Sequence, residues 1–149
     1  MEQKQNWELI LDWLMGQPQI VDKYDRPGIY AIWIEGELVY IGCSQNMMRR
    51  LAGHLDGMNT NKSHKYKVMN EARQRGYKVW FDVLEELPDD IETLKQREAY
   101  FIRLYLPALN TQIPKTEDYH KYTYNRSAQM ISLKSILAHR NTINWDYEI

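Results

Sequence analysis

Two apolar runs separated by only three residues constrain the fold of this chain more than any other feature. Residues 28–34 read Gly-Ile-Tyr-Ala-Ile-Trp-Ile and residues 38–42 read Leu-Val-Tyr-Ile-Gly. Both are rich in β-branched and aromatic side chains, and the break between them contains Gly36, which predicts an antiparallel hairpin. Consecutive positions are apolar, so both faces of the strands must be covered. We therefore expect helices on either side of a small sheet.

Hydrophobic spacing and end signals predict the covering helices. The first helix spans Asn6 to Met15, where Gly16 and Pro18 stop it. Four more helices are predicted, together with a third strand. These helices cover 47 to about 57, 64–75, 89–105 and 127–139, and the strand covers 78–84. The predicted fold class is α/β.

Composition excludes several classes of protein. The chain has 149 residues, 44% of them apolar, which is typical of a globular domain and too hydrophobic for a disordered chain. Its single cysteine, Cys43, excludes an internal disulfide scaffold and a thiolate zinc finger. No apolar run approaches the roughly 18 residues that span a bilayer, and the first residues do not resemble a secretory signal. We expect a cytoplasmic protein without a membrane partner.

The near-neutral net charge of −1 hides two segments of opposite sign. Residues 49–80 contain eight lysines and arginines but two acidic residues, whereas residues 82–98 contain seven acidic residues and two basic ones. The basic segment could bind a polyanion, with the acidic one facing elsewhere or holding a cation. The alternative is that both are solvated helix faces without a specific role.

One carboxylate occupies an apolar position on the helix predicted at 89–105. The stripe that faces the sheet runs through Leu94 and Ile102, and Glu98 lies between them. A buried charge needs a partner. Glu98 either forms a structural ion pair, for example with Arg50 or Arg103, or it binds a hard divalent cation.

The chain resembles the GIY-YIG nuclease superfamily. Gly28-Ile29-Tyr30 is followed ten positions later by Tyr40-Ile41-Gly42, the two tripeptides that name the family. Arg50 follows eight positions after the second motif, His54 lies one helical turn further, and the run from Glu98 to Asn110 completes the set. The resemblance covers residues 27–110.

The resemblance implies a three-stranded, mainly antiparallel sheet flanked by helices, and a one-metal hydrolysis of DNA phosphodiester bonds. The metal would be Mg²⁺ or Mn²⁺, held by Glu98. A tyrosine, Tyr30 or Tyr40, would take the proton of the attacking water, in a field from Arg50 and the cation that favours its phenolate. The residues at the family's catalytic positions are Tyr30, Tyr40, Arg50, His54, Glu98 and Asn110.

Two features of the sequence concern the tyrosine that would act as the general base. Many relatives carry a lysine directly after the second motif, where this chain has Cys43, so His54 is the candidate substitute for that lysine. Residues that pair directly across an antiparallel hairpin lie on the same face of the sheet. Tyr30 and Tyr40 therefore share a face only if the two residue numbers of each pair add up to an even number. A three-residue loop, Glu35-Gly36-Glu37, would give this pairing, and a bulge near Gly42 is the other route.

We expect the chain to comprise an N-terminal helical extension (1–26), a nuclease domain (27–110) and a C-terminal extension packed on that domain (111–149). DNA contacts are predicted at Lys62, Lys65 and Lys67, with Tyr66 among them, and in the stretch 119–124. One alternative function is a non-cleaving nucleic-acid-binding or regulatory module. Another is a small protein-interaction domain in which Glu98 forms a structural pair. The sequence does not define the oligomeric state.

Overall fold

A computed structural model describes residues 3–61, 63–110, 112–114, 121–123, 134 and 136 of the chain. The helices are α1 (Asn6–Met15), α2 (Pro18–Tyr24), α3 (Met47–Thr60), α4 (His64–Gln74) and α5 (Ile91–Tyr105). The strands are β1 (Gly28–Ile34), β2 (Glu37–Ser44), β3 (Val79–Glu86), β4 (Gln112–Pro114) and β5 (Lys121–Thr123).

The main sheet has the order β2-β1-β3, and both pairings are antiparallel. All seven residues of the central strand β1 are buried, because helices cover both faces. On one face α1, α2, α3 and α4 pack against the sheet, and on the other α5 packs through Leu94 and Ile102. The predicted α/β fold with a three-stranded antiparallel sheet is confirmed.

The hairpin has the even pairing that places Tyr30 and Tyr40 on one face, but not through the predicted three-residue loop. The turn has two residues, Glu35 and Gly36, both at positive φ (48° and 86°), as the right-handed twist of a two-residue hairpin requires. A bulge then shifts the register, because Trp33 pairs with Leu38 while Ile32 pairs with Tyr40. The three-residue loop was therefore wrong, and the bulge restores the even pairing.

Pro18 does not simply stop the first helix. Helix α1 spans Asn6–Met15 as predicted, but Pro18 is the first residue of α2, where its missing N–H costs nothing. Leu14 and Tyr24 from these two helices pack against Met47 and Met48 of α3. The N-terminal segment thus fixes the start of α3 over the sheet.

Helix α3 is longer than predicted and has a glycine in its interior. It begins at the cap residue Asn46, whose side chain accepts a hydrogen bond from the Arg49 N–H, and it continues through Gly57 to Thr60. A Cβ atom on Gly57 would overlap the ring of Tyr66 in α4. The glycine therefore permits the close approach of α4 to α3 rather than ending the helix.

The C-terminal segment is described only in part. Leu106, at φ 46°, ends α5, and the short strands β4 and β5 pair with each other. Ile136 is buried in a cluster with Ile34 and Met69. Lys62, half of the stretch 119–124 and most of the helix predicted at 127–139 lie outside the described residues. Within the described part of the chain, no helix is long and apolar enough to cross a membrane.

Candidate active site

The two motif tyrosines lie on the same face of the sheet, as the even pairing predicts. Tyr30 of β1 pairs with Gly42, and Tyr40 of β2 pairs with Ile32. The ring centroids of the two tyrosines are 6.4 Å apart. A Cβ atom on Gly42 would overlap the hydroxyl end of the Tyr30 side chain, so the last glycine of the second motif makes room for the tyrosine of the first.

His54 links Tyr30 to a tyrosine that the sequence analysis placed only among the DNA contacts. Its Nε2 lies 2.8 Å from the Tyr30 hydroxyl, and its Nδ1 lies 3.0 Å from the hydroxyl of Tyr66. His54 is 3% exposed. The result is a hydrogen-bonded chain, Tyr30–His54–Tyr66, that joins β1, α3 and α4; it is buried at Tyr30 and His54 and half-buried at Tyr66.

The imidazole of His54 is neutral at physiological pH. Burial, followed by the positive charges of Lys65 and Arg50, lowers the pKa of His54 to about 3. A neutral imidazole has one N–H and one acceptor nitrogen. One of the two tyrosine hydroxyls therefore donates to the ring, and the other accepts from it.

Burial is also the largest influence on the pKa values of the two motif tyrosines. It raises the pKa of Tyr30 and of Tyr40, and the charge of Glu98 adds to the effect. The positive charge of Arg50 lowers both pKa values but does not outweigh burial. Arg50 alone therefore does not favour the Tyr30 phenolate, and the expected field also includes the cation. Tyr30 carries its proton at neutral pH, so it needs a proton acceptor to act as a base.

Two basic side chains border the tyrosines. Arg50 is exposed and its charge acts on Tyr30, so it can also contact a ligand from solvent. Lys65 Nζ lies 4.8 Å from the ring centroid of Tyr40 and 4.9 Å from that of Tyr66, within cation–π distance. Lys65 thus belongs to the cluster itself, while Lys67 is exposed elsewhere on α4.

Glu98 of α5 is buried, with 6% of its surface exposed. Lys95 Nζ lies 3.8 Å from its Oε1, whereas the sequence analysis considered Arg50 or Arg103 as the partner. No group of three or more histidine, cysteine or acidic side chains that could hold a metal exists among the described residues. A single carboxylate fits Mg²⁺, which keeps several water ligands and binds substrate phosphates.

Asn110 binds the second motif from the edge of the sheet. Its Oδ1 accepts a hydrogen bond from the Ile41 N–H, and its Nδ2 donates to the Ile41 carbonyl, both at 2.9 Å. The N–H of Leu109 donates to the Val39 carbonyl next to it. Asn110 therefore holds the strand that carries Tyr40.

Sequence reasoning missed the contact between Tyr66 and His54, although one signal was available. A glycine in the interior of a helix is costly and can have a packing reason; this holds for Gly57, one turn after His54, but not for Gly53, which has no neighbour within 4 Å. The pattern does not name the group that approaches. Only the packing of α4 on α3 identifies it as Tyr66.

Residues 26–112 match the family model of the GIY-YIG catalytic domain. The chain is also 34% identical over 112 residues to Endonuclease II of Enterobacteria phage T4, an alignment that covers 66% of this chain and 81% of the relative. No solved structure matches the chain. With its sheet, its paired tyrosines and this match, the chain belongs to the GIY-YIG nuclease superfamily.

Proposed function

We propose that the protein is a divalent-metal-dependent endonuclease that hydrolyses DNA phosphodiester bonds with one metal ion. The observation that carries the proposal is the Tyr30–His54 hydrogen bond in a cluster with Arg50 and Glu98. The similarity to Endonuclease II of phage T4 supports an endonuclease activity. The cluster combines a proton acceptor, a cation and a carboxylate, which are the groups that hydrolysis of a phosphodiester needs.

Tyr30 is the proposed general base, with His54 as its proton acceptor. The Tyr30 hydroxyl oxygen takes a proton from the attacking water while its own proton moves 2.8 Å to Nε2 of His54. The water oxygen bonds to phosphorus, and the bond to the 3′ oxygen breaks. The pKa of His54, about 3, leaves the imidazole unprotonated before the reaction, so Nε2 can be free to accept this proton.

The remaining groups stabilise charge. Arg50, which is exposed and whose charge acts on Tyr30, contacts the nonbridging oxygens of the phosphate. Glu98 would hold Mg²⁺ or Mn²⁺. When bound, the cation neutralises charge on the phosphate and on the departing oxygen. Asn110 is a positioning residue, because both groups of its amide bind the backbone of Ile41.

DNA would approach from the side of α3 and α4. Arg50 and Lys65 lie in the cluster, and Lys67 extends the basic surface along α4. We also assign Lys62 to this interface from the sequence. The acidic segment, by contrast, forms β3 and α5. We propose that the protein acts in the cytoplasm.

The test is incubation of supercoiled plasmid with the protein, with and without Mg²⁺ or Mn²⁺. The proposal predicts nicked or linear DNA only when the cation is present. A discrete band pattern would indicate a specific nuclease. Binding of DNA without cleavage at any cation concentration would overturn the proposal and favour the non-cleaving module instead.

A further inference from the structure

Tyr66 contacts the cluster through His54. Its hydroxyl lies 3.0 Å from Nδ1 of His54, on the side of the ring opposite to Tyr30. The rings of His54 and Tyr66 meet edge to face, with centroids 5.9 Å apart. Because both imidazole nitrogens bind tyrosine hydroxyls, the position of one proton decides the direction of both hydrogen bonds.

Two arrangements of that proton are possible in a neutral ring. If the proton is on Nε2, His54 donates to Tyr30, and Nε2 cannot accept a proton from it. If the proton is on Nδ1, His54 donates to the Tyr66 oxygen, and Nε2 accepts from the Tyr30 hydroxyl. Only the second arrangement fits Tyr30 as a base.

We propose that Tyr66 is a positioning residue that accepts the Nδ1–H of His54 and thereby keeps Nε2 unprotonated toward Tyr30. This inference rests on the proposed function, because it concerns the base of the same reaction. Without the Tyr66 oxygen, a proton on Nδ1 would be a buried donor with no partner from α4, so the ring favours the proton on Nε2. The Tyr30 side chain then faces a donor instead of an acceptor.

Gly57 makes this contact possible. A Cβ atom at position 57 would overlap the Tyr66 ring, whereas a Cβ atom on Gly53 of the same helix has no neighbour within 4 Å. Alanine is also the better helix former at both positions. Gly57→Ala should therefore displace Tyr66 without weakening α3, and Gly53→Ala is its matched control.

The experiment combines spectroscopy of the resting protein with cleavage kinetics. The tautomer of His54 is read from the ¹⁵N shifts of its ring in metal-free protein, with the signals assigned by their loss in His54→Gln. We expect Nδ1–H in the wild type and in Gly53→Ala, and a shift toward Nε2–H in Tyr66→Phe and Gly57→Ala. With Mg²⁺ and a DNA substrate, the two shifted variants should lose on the order of tenfold or more in kcat, with little change in KM.

The two parts of the experiment separate the possible failures. An Nε2–H ring in the wild type, or an unchanged Nδ1–H ring in Tyr66→Phe, would overturn the role of Tyr66 even if the enzyme cuts DNA. Loss of kcat in Tyr66→Phe without a change of tautomer would also overturn it, because a structural effect would then explain the loss. Absence of cleavage by the wild type would instead contradict the proposed function.

Discussion

Helices α3 and α5 lie on opposite faces of the sheet, and each buries one ionisable side chain of the site. His54 on α3 is neutral and hydrogen-bonded at both ring nitrogens. Glu98 on α5 is also buried, and Lys95 Nζ lies 3.8 Å from its Oε1. The α3 side thus presents a neutral imidazole, whereas the α5 side provides a carboxylate, the kind of ligand that a hard cation prefers. The two residues should respond differently to substitution.

Glu98→Gln should have the largest effect on activity. It keeps the size of the side chain but removes the charge that would hold the cation, so we expect loss of cleavage at any Mg²⁺ concentration. The thermal midpoint should be unchanged or higher, because a buried anion is removed. Glu92→Gln, the same change at an exposed position of α5, is the control. Metal-dependent cleavage by Glu98→Gln would rule out Glu98 as the ligand.

Arg50→Ala should reduce turnover on the order of a hundredfold while DNA affinity falls less, because Arg50 stabilises charge that develops during the reaction. Arg49→Ala is the control, since Arg49 is the exposed neighbour and lies against Trp7. Single-turnover cleavage and a binding titration separate the two effects. Equal losses in binding and turnover would make Arg50 an ordinary phosphate contact.

His54→Gln should lose activity most at low pH. In the wild type, the imidazole accepts a proton from Tyr30 at any pH well above its pKa of about 3. Without it, Tyr30 must lose its proton to solvent, which becomes easier as the pH rises. The ratio of wild-type to variant rates should therefore fall with increasing pH. A ratio independent of pH would argue against His54 as the proton acceptor.

His54→Gln should also change how the free energy of unfolding depends on pH, an effect smaller than its effect on activity. His54 binds a proton in the unfolded chain below its ordinary pKa of 6.5, but in the folded protein only near pH 3. Stability contributed by neutral His54 is therefore present above pH 6.5 and is lost as the pH falls, by about 1 kcal/mol per pH unit. Urea unfolding of wild type and His54→Gln between about pH 5 and 8 measures this difference. A constant difference would mean that buried His54 keeps its ordinary pKa.

The sequence predicts most of the fold and less of the site. Periodicity gives α1, the three strands and α5 closely, because burial on one or both faces dictates those patterns. It misses α2, since proline is compatible with both the end of one helix and the start of another. It also misses the hairpin turn, because a three-residue loop and a two-residue turn with a bulge give the same pairing.

The site depends on contacts that are distant in sequence. Motif spacing predicts that Tyr30 and Tyr40 lie close together, because both are on one hairpin. It also predicts that Arg50 and His54 are neighbours, because they lie one turn apart on one helix. Tyr66 and Lys65 enter the cluster only through the packing of α4 on α3, and no local pattern carries that information. Lys95, by contrast, lies three positions before Glu98 on the same helix, a spacing that the sequence does show.

The most direct test of the account is single-turnover cleavage by Tyr30→Phe, with Tyr40→Phe for comparison. The first change deletes only the hydroxyl that bonds His54 and keeps the ring stacked on Phe81. We expect severe loss of cleavage in Tyr30→Phe with an unchanged thermal midpoint, and a milder loss in Tyr40→Phe. Cleavage by Tyr30→Phe at the wild-type rate would contradict the proposed base, while the chain would still belong to the same superfamily.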